Sequence, residues 1–137
     1  MTVIICVSDG GGVLFGGRRL SRDREVISDI ARTAGDEPVF VSEYSEGLFS
    51  KSDVSVIAVS DPLSSAGKGD FVFIEDGKIR REIDKTDCVM IYRWNRKYPF
   101  DTKVDTEPGC EGFALAESVD IKGHSHEKIT RETWRRK

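Results

Sequence analysis

Apolar positions follow three rhythms along this chain. Val3-Ile4-Ile5-Cys6-Val7 is an unbroken apolar run, the pattern of a strand covered on both faces. "PVFVS" (38–42), "VSVIAVS" (54–60), "DFVFIED" (70–76) and "CVMIYRW" (88–94) repeat that rhythm. Between the first two runs, Val26, Ile27, Ile30, Ala31 and Ala34 fall on one face at helical spacing. The spacing predicts a helix from Ser21 to Ala34, with Ser21 as N-cap, Asp23 and Glu25 in the first turn and Gly35 as the stop. Toward the end the rhythm changes to alternation. "FALAESVDI" (113–121) and "HEKITRETW" (126–134), with Gly123 between them, predict an antiparallel hairpin at a sheet edge. The expected class is α/β, one main helix wrapped by strands that are mostly apolar early and alternating late, with a C-terminal antiparallel hairpin. No repeat, linker or low-complexity segment interrupts the pattern, so a single domain over residues 1–137 is expected.

Composition narrows the function classes. The formal net charge is -3, so no global basic field points to nucleic acid. The run at Met1 to Val7 lacks a basic flank and is too short for a signal peptide, and no stretch is long enough to span a membrane. Three cysteines without a CxxC spacing argue against a disulfide framework or a zinc knuckle. A cytoplasmic location is the expectation.

The stretch "GGGVLFGGRRLSRDRE" (10–25) raises the question of phosphate binding. Gly12 and Gly17 have the P-loop gap, but Arg18-Arg19 follow where Lys and Ser/Thr are needed, and Phe15 occupies the third position of GxGxxG. The residues alone read as a surface turn between strand and helix. "HSH" (124–126) contains the only two histidines, and Glu127-Lys128 stand where HxHxDH would continue. It reads as a polar turn with no metal assigned. Since both histidines fall in the predicted hairpin turn, no Ser/His/Asp arrangement is read. "RWNRKYPFD" (93–101) mixes bases with aromatics as single-strand binders do, but reads as a strand leaving the core into a proline-containing loop.

Taken in order, these segments resemble dihydrofolate reductase. "VIICVSDGGGVLFGG" resembles that family's first strand and mobile active-site loop, and "LSRD" resembles its "LPxD/E" helix opening. "EPVFVSEYSEGLF" resembles "KPVIMGRKTYESI", and "VSVIAVSD" resembles the strand after it. "DFVFIEDGKI" resembles "VFVIGGGxIY". "DCVMIYRW" with "YPFDTKVD" resembles the late strand ending in "GDTxFP". "FALAESVDIKGHSHEKITRETWRR" resembles the terminal hairpin ending in "YxFExxERR". The chain is also similar to small bacterial proteins sometimes labelled ribonuclease Z, a label that the missing HxHxDH leaves without chemical support.

The resemblance implies a shortened reductase-like sheet. The glycine loop becomes a flap over a cleft, and Asp23 becomes the carboxylate that grips a heterocycle. Only "DPLSSAGKG" (61–69) stands where the reductases carry a helix and a strand that hold the adenosine of NADPH. Glu75-Asp76-Gly77 replace the double glycine that cradles pyrophosphate, and carboxylates repel phosphate. The tail-binding arginine has no counterpart in "SKSDVSV" (50–56), and the tryptophan after the flap is absent. The implied function is therefore a non-catalytic binding protein without bound NADPH. Its ligand is a nucleotide-like or pterin-like heterocycle with an anionic group, held for sequestration or sensing by Phe15, Arg18, Arg19, Arg22, Asp23, Ser45, Glu75 and Asp76. The alternatives are a minimal NADPH-dependent reductase or nucleotide hydrolase using Asp23 as acid or proton relay, and an interaction module without a ligand. Loss of a helix and strand also predicts an uncovered apolar face and strand edge, hence a homodimer or larger.

Overall fold

The computed structural model describes residues 1–137. In chain order its elements are β1 (Thr2–Val7), β2 (Gly12–Phe15), β3 (Arg18–Arg19), α1 (Arg24–Ala34), β4 (Val39–Val41), α2 (Glu43–Glu46), β5 (Val56–Ala58), α3 (Pro62–Ser65), β6 (Phe71–Phe73), β7 (Cys88–Arg93), β8 (Thr102–Lys103), β9 (Phe113–Ile121) and β10 (Ile129–Arg136). Seven strands form one sheet in the order β5-β4-β6-β1-β7-β10-β9. The strands from β5 to β7 are parallel, and β10 and β9 complete the sheet antiparallel. Continuous apolar runs thus form the parallel centre and the alternating segments form the edge hairpin, as the patterns require.

Two clusters of 15 buried residues lie on opposite faces of β1. Val3, Ile5 and Val7 point into one, and Ile4 into the other. α1 covers the second cluster with Val26, Ile27, Ile30 and Ala34. Leu63, Ile79, Ile83, Val104 and Phe113 cover the first. This corrects the expectation of a bare apolar face, since short connections close it where a helix and strand are missing. The β5 edge does remain unpaired, and its Ile57 is exposed.

The helix begins later than its spacing predicts. Its N-cap is Asp23, whose side chain accepts from Glu25 N–H, rather than Ser21. The glycine stretch is also more ordered than a loose turn. β2 pairs with β3 and β8 in a second, three-stranded sheet. Gly16 and Gly17, with φ of 59° and 77°, make the two-residue turn between Phe15 and Arg18.

Inside the second cluster, Asp29 on α1 is buried and accepts from Tyr92 Oη at 2.6 Å and Arg131 Nη1 at 2.7 Å. One carboxylate thereby fastens the helix to β7 and β10.

Candidate functional site

Parallel strands direct their following loops to one edge, where a cleft forms beyond the strand ends. Here that edge gathers Cys6 from β1, Tyr44 and Ser45 after β4, Glu75 and Asp76 after β6, and Trp94 after β7. The β2–β3 flap lies over them, and the N-terminus of α1 and the β9–β10 turn close one end.

At the centre is a bond between flap and sheet. Arg19 donates from Nε to Glu75 Oε2 at 2.7 Å and from Nη2 to Glu75 Oε1 at 3.0 Å. Its guanidinium lies 4.7 Å from the centroid of the Tyr44 ring. Buried Ser45 donates to Glu75 Oε1 at 2.7 Å. The hydrogen bonds to Glu75 raise the Arg19 pKa further, so the group stays cationic.

A second cluster surrounds Asp23. Its Oδ1 accepts from Glu25 N–H and His124 N–H, each at 2.9 Å. Its Oδ2 accepts from Ser125 N–H at 2.9 Å, Ser125 Oγ at 3.2 Å and His126 N–H at 3.2 Å, and pairs with His126 Nδ1 at 2.9 Å. Burial alone would raise the pKa, but the backbone donors of His124, Glu25 and Ser125 and the His126 ring outweigh it and hold the carboxyl well below the usual range. An ionised carboxylate only accepts, so the shared hydrogen sits on Nδ1. Nε2 is free to accept when the ring carries only that hydrogen, and two hydroxyls reach it: Ser21 Oγ at 3.0 Å and Tyr98 Oη at 2.9 Å. Trp94 stacks on the imidazole, with ring centroids 4.6 Å apart.

The open space lies around these clusters. Two small cavities of ≈ 20 and ≈ 10 Å³ sit beneath the flap, both lined by Cys6, Ser21, Glu75 and Trp94. A crevice of ≈ 410 Å³ opens beyond Glu75, lined by Tyr44, Asp61, Asp76 and Arg81 among others. A groove of ≈ 1120 Å³ runs between α1 and residues 47–53, with Arg22, Arg24, Arg32 and Lys51 along it.

The residues expected from sequence therefore separate. Arg19, Ser45 and Glu75 form one hydrogen-bonded unit. Arg22 lies on the groove, while Arg18 and Phe15 stand at the exposed end of the flap. The three arginines do not share one rim. Asp76 lines the crevice and accepts from Lys78 N–H. Asp23 is buried with both oxygens taken by the chain's own donors, which leaves it no free edge for a heterocycle.

The imidazole relay is the feature that sequence reading missed, because the "HSH" turn folds inward at His126 instead of staying in solvent. Gly123 carried a signal of it: a Cβ there would lie 2.7 Å from Asp23 Oδ2 and 2.5 Å from His126 O.

Comparison with known proteins agrees with the architecture. Among 158 matching solved chains is the dihydrofolate reductase from Enterococcus faecalis, complexed with NADP(H) and RAB-propyl. It superposes with a TM-score of 0.67 over 99% of this chain and 96% of that chain, at 13% sequence identity. The fold is that of a dihydrofolate reductase. No protein-family model and no curated protein matches the sequence, and no link to ribonuclease Z emerges.

The cofactor edge does not fit the dinucleotide that the reductase fold implies. β6 leads into Glu75-Asp76-Gly77 and a 3₁₀ turn at Arg80–Lys85 rather than into an α-helix. The Ile79 and Arg80 N–H groups are already donated to Asp105 Oδ1, both at 3.0 Å. Asp61, Glu75 and Asp76 present carboxylates where a pyrophosphate needs donors. No helix in the chain is long and apolar enough to cross a membrane.

Proposed function

We propose that this chain is a small-molecule-binding protein on a reductase-like fold, and that its ligand is a nucleotide-like or pterin-like heterocycle with an anionic group. The observation that carries the reading is the Arg19 guanidinium, a flat cation held edge-on by Glu75 and face-on by Tyr44. Guanines and pterins present the same kind of edge, a ring N–H beside an exocyclic amine, to a carboxylate. Glu75 then takes the part that the resemblance assigned to Asp23, Ser45 orients it, and Arg19 is an internal stand-in that withdraws with the flap.

The anionic group belongs on the groove. Arg22, Arg24 and Lys51 line it and take part in none of the chain's ion pairs. Arg22 and Leu48 line both the groove and the small cavity beside Glu75, so one ligand can touch both. Hydride transfer forms no part of this reading, because the cofactor edge is occupied by the chain's own acids.

Calorimetry with guanosine monophosphate, pterin-6-carboxylate and adenosine monophosphate tests it. The first two should bind and the third should not. Glu75→Gln should weaken binding by about one to two orders of magnitude, matching ~1.5–3 kcal/mol for bonds to a charged partner. Arg22→Ala should cost less and reduce the salt dependence. Equal binding of all three compounds, or unchanged affinity in Glu75→Gln, would refute the assignment.

A further inference from the structure

The imidazole relay is not used by the ligand reading, and it holds the parts of a nucleophilic centre. The geometry points to Ser21 as the nucleophile of an acyl-transfer site for small carboxylic esters, with His126 as general base, Asp23 as the positioning carboxylate and the Tyr98 hydroxyl as oxyanion donor.

The required contacts are all present. Ser21 Oγ lies 3.0 Å from His126 Nε2, and His126 Nδ1 lies 2.9 Å from Asp23 Oδ2. That order of serine, imidazole and buried carboxylate is the arrangement by which a hydroxyl loses its proton as it attacks. Asp23 also accepts the backbone N–H of His126 itself, which fixes the residue as well as its ring. Trp94 holds the imidazole plane by stacking. His126 and Asp23 are buried, whereas Ser21 is partly exposed and lines both small cavities under the flap. Ser21 is the member of the three reached from both cavities, while Asp23 borders only the larger.

A turn clasp alone would not need this arrangement. The backbone N–H groups of residues 124–126 and Glu25 already satisfy Asp23. The convergence of two hydroxyls on Nε2 adds nothing to that clasp. One lone pair on Nε2 takes one hydrogen at a time. When Ser21 donates to it, Tyr98, 3.3 Å from Ser21 Oγ, can turn its hydrogen toward the serine oxygen and the group bonded there.

The chemistry balances without a cofactor. Ser21 Oγ forms a bond to the ester carbonyl carbon and its proton passes to His126 Nε2. The carbonyl electron pair moves onto oxygen, where Tyr98 donates. Collapse of that intermediate breaks the bond to the alcohol oxygen, which leaves with the proton from Nε2. Water repeats the sequence on the acyl-serine, releasing a carboxylic acid and restoring Ser21.

The argument for Ser21 does not depend on which ligand Glu75 takes, although both small cavities border the two residues. The full chain is treated with diisopropyl fluorophosphate and mapped by peptide mass spectrometry, and p-nitrophenyl acetate is followed for a burst. One phosphoryl adduct on Ser21 and a burst of one p-nitrophenol per chain are expected. Ser21→Ala should abolish both, and Tyr98→Phe should slow the burst at least tenfold while the adduct still forms on Ser21. Absence of an adduct on Ser21 in the wild-type chain overturns the proposal whatever the variants do. So does ester cleavage that persists in a folded Ser21→Ala protein, which would arise from other surface nucleophiles.

Discussion

Replacing Asp23 by asparagine should cost far more stability than its place in the first turn of a helix implies. The carboxylate oxygens accept from Glu25 and His124 on one side and from Ser125 and His126 on the other. Asparagine keeps one acceptor and turns an NH₂ group toward donors in either flip. The cheaper flip leaves the Glu25 and His124 N–H groups without an acceptor and removes the charge from the His126 pair. Two unsatisfied donors at about 1–3 kcal/mol each cost about 2–6 kcal/mol, before anything is added for the weakened His126 pair. With an unfolding entropy of ~2.1 cal/mol/K per residue, that lowers Tm by about 7–21 °C for a chain of this length. Calorimetry at pH 7 measures it directly. The pH dependence has a definite sign. The folded pKa of Asp23 lies below its ordinary value of 3.8, so its contribution is fully present above that value and is lost as pH falls toward the folded pKa. The gap between wild type and variant should therefore hold from pH 7 to about 4 and close below. A loss of less than about 3 °C at pH 7 would mean that Asp23 acts only on the helix dipole, worth ~0.3–1 kcal/mol, and would remove the clasp from the account of this fold.

Tyr92→Phe should destabilise the chain by about 1.5–3 kcal/mol in urea titration, because a buried hydroxyl that donates to Asp29 Oδ2 at 2.6 Å is lost, and unchanged stability would show that Arg131 alone satisfies that side chain. Gly123→Ala should cost about 1–3 kcal/mol, since its Cβ would lie 2.5 Å from His126 O. Gly47→Ala, with nothing within 4 Å and helical φ, should be neutral or stabilise by up to ~1 kcal/mol; equal thermal shifts in the two alanine variants would contradict the packing at Gly123. The unpaired β5 edge is expected to pair with a second copy, so light scattering at high concentration should read twice the chain mass of 15.3 kDa, and a monomer reading would defeat this.

Much of the fold was legible because its central strands are simple. β1 and β7 are continuous apolar runs, and only a strand covered on both faces tolerates that pattern. The terminal hairpin announced itself by alternation on either side of a glycine. Where sequence reading failed, the elements were too short to leave a period. β3 and β8 have two residues each, and α2 and α3 have four. Neither helical nor strand periodicity can be seen over such lengths. The cap was misplaced for a related reason: Ser21 and Asp23 are both good N-cap residues two positions apart, and the choice depends on which oxygen reaches Glu25 N–H.

The placing of several candidate residues at one edge was legible, but their wiring was not. Arg19, Ser45, Glu75 and Asp23 all lie at the carboxyl edge, yet one sequence cannot tell which carboxylate the chain itself consumes. That is decided by His126, 103 residues from Asp23, through a turn whose polar letters suggest solvent. Once the turn folds in, Asp23 is saturated, and Glu75 becomes the carboxylate of the cleft that a movable side chain satisfies. Arg19 is on the flap, so in the proposed reading lifting the flap would break its bond to Glu75. Asp23 is held by the backbone of the hairpin turn and α1, so freeing it would require undoing the fold. The difference between a carboxylate satisfied by a flap and one satisfied by the scaffold separates a ligand contact from a structural one, and it is why the ligand reading rests on Glu75.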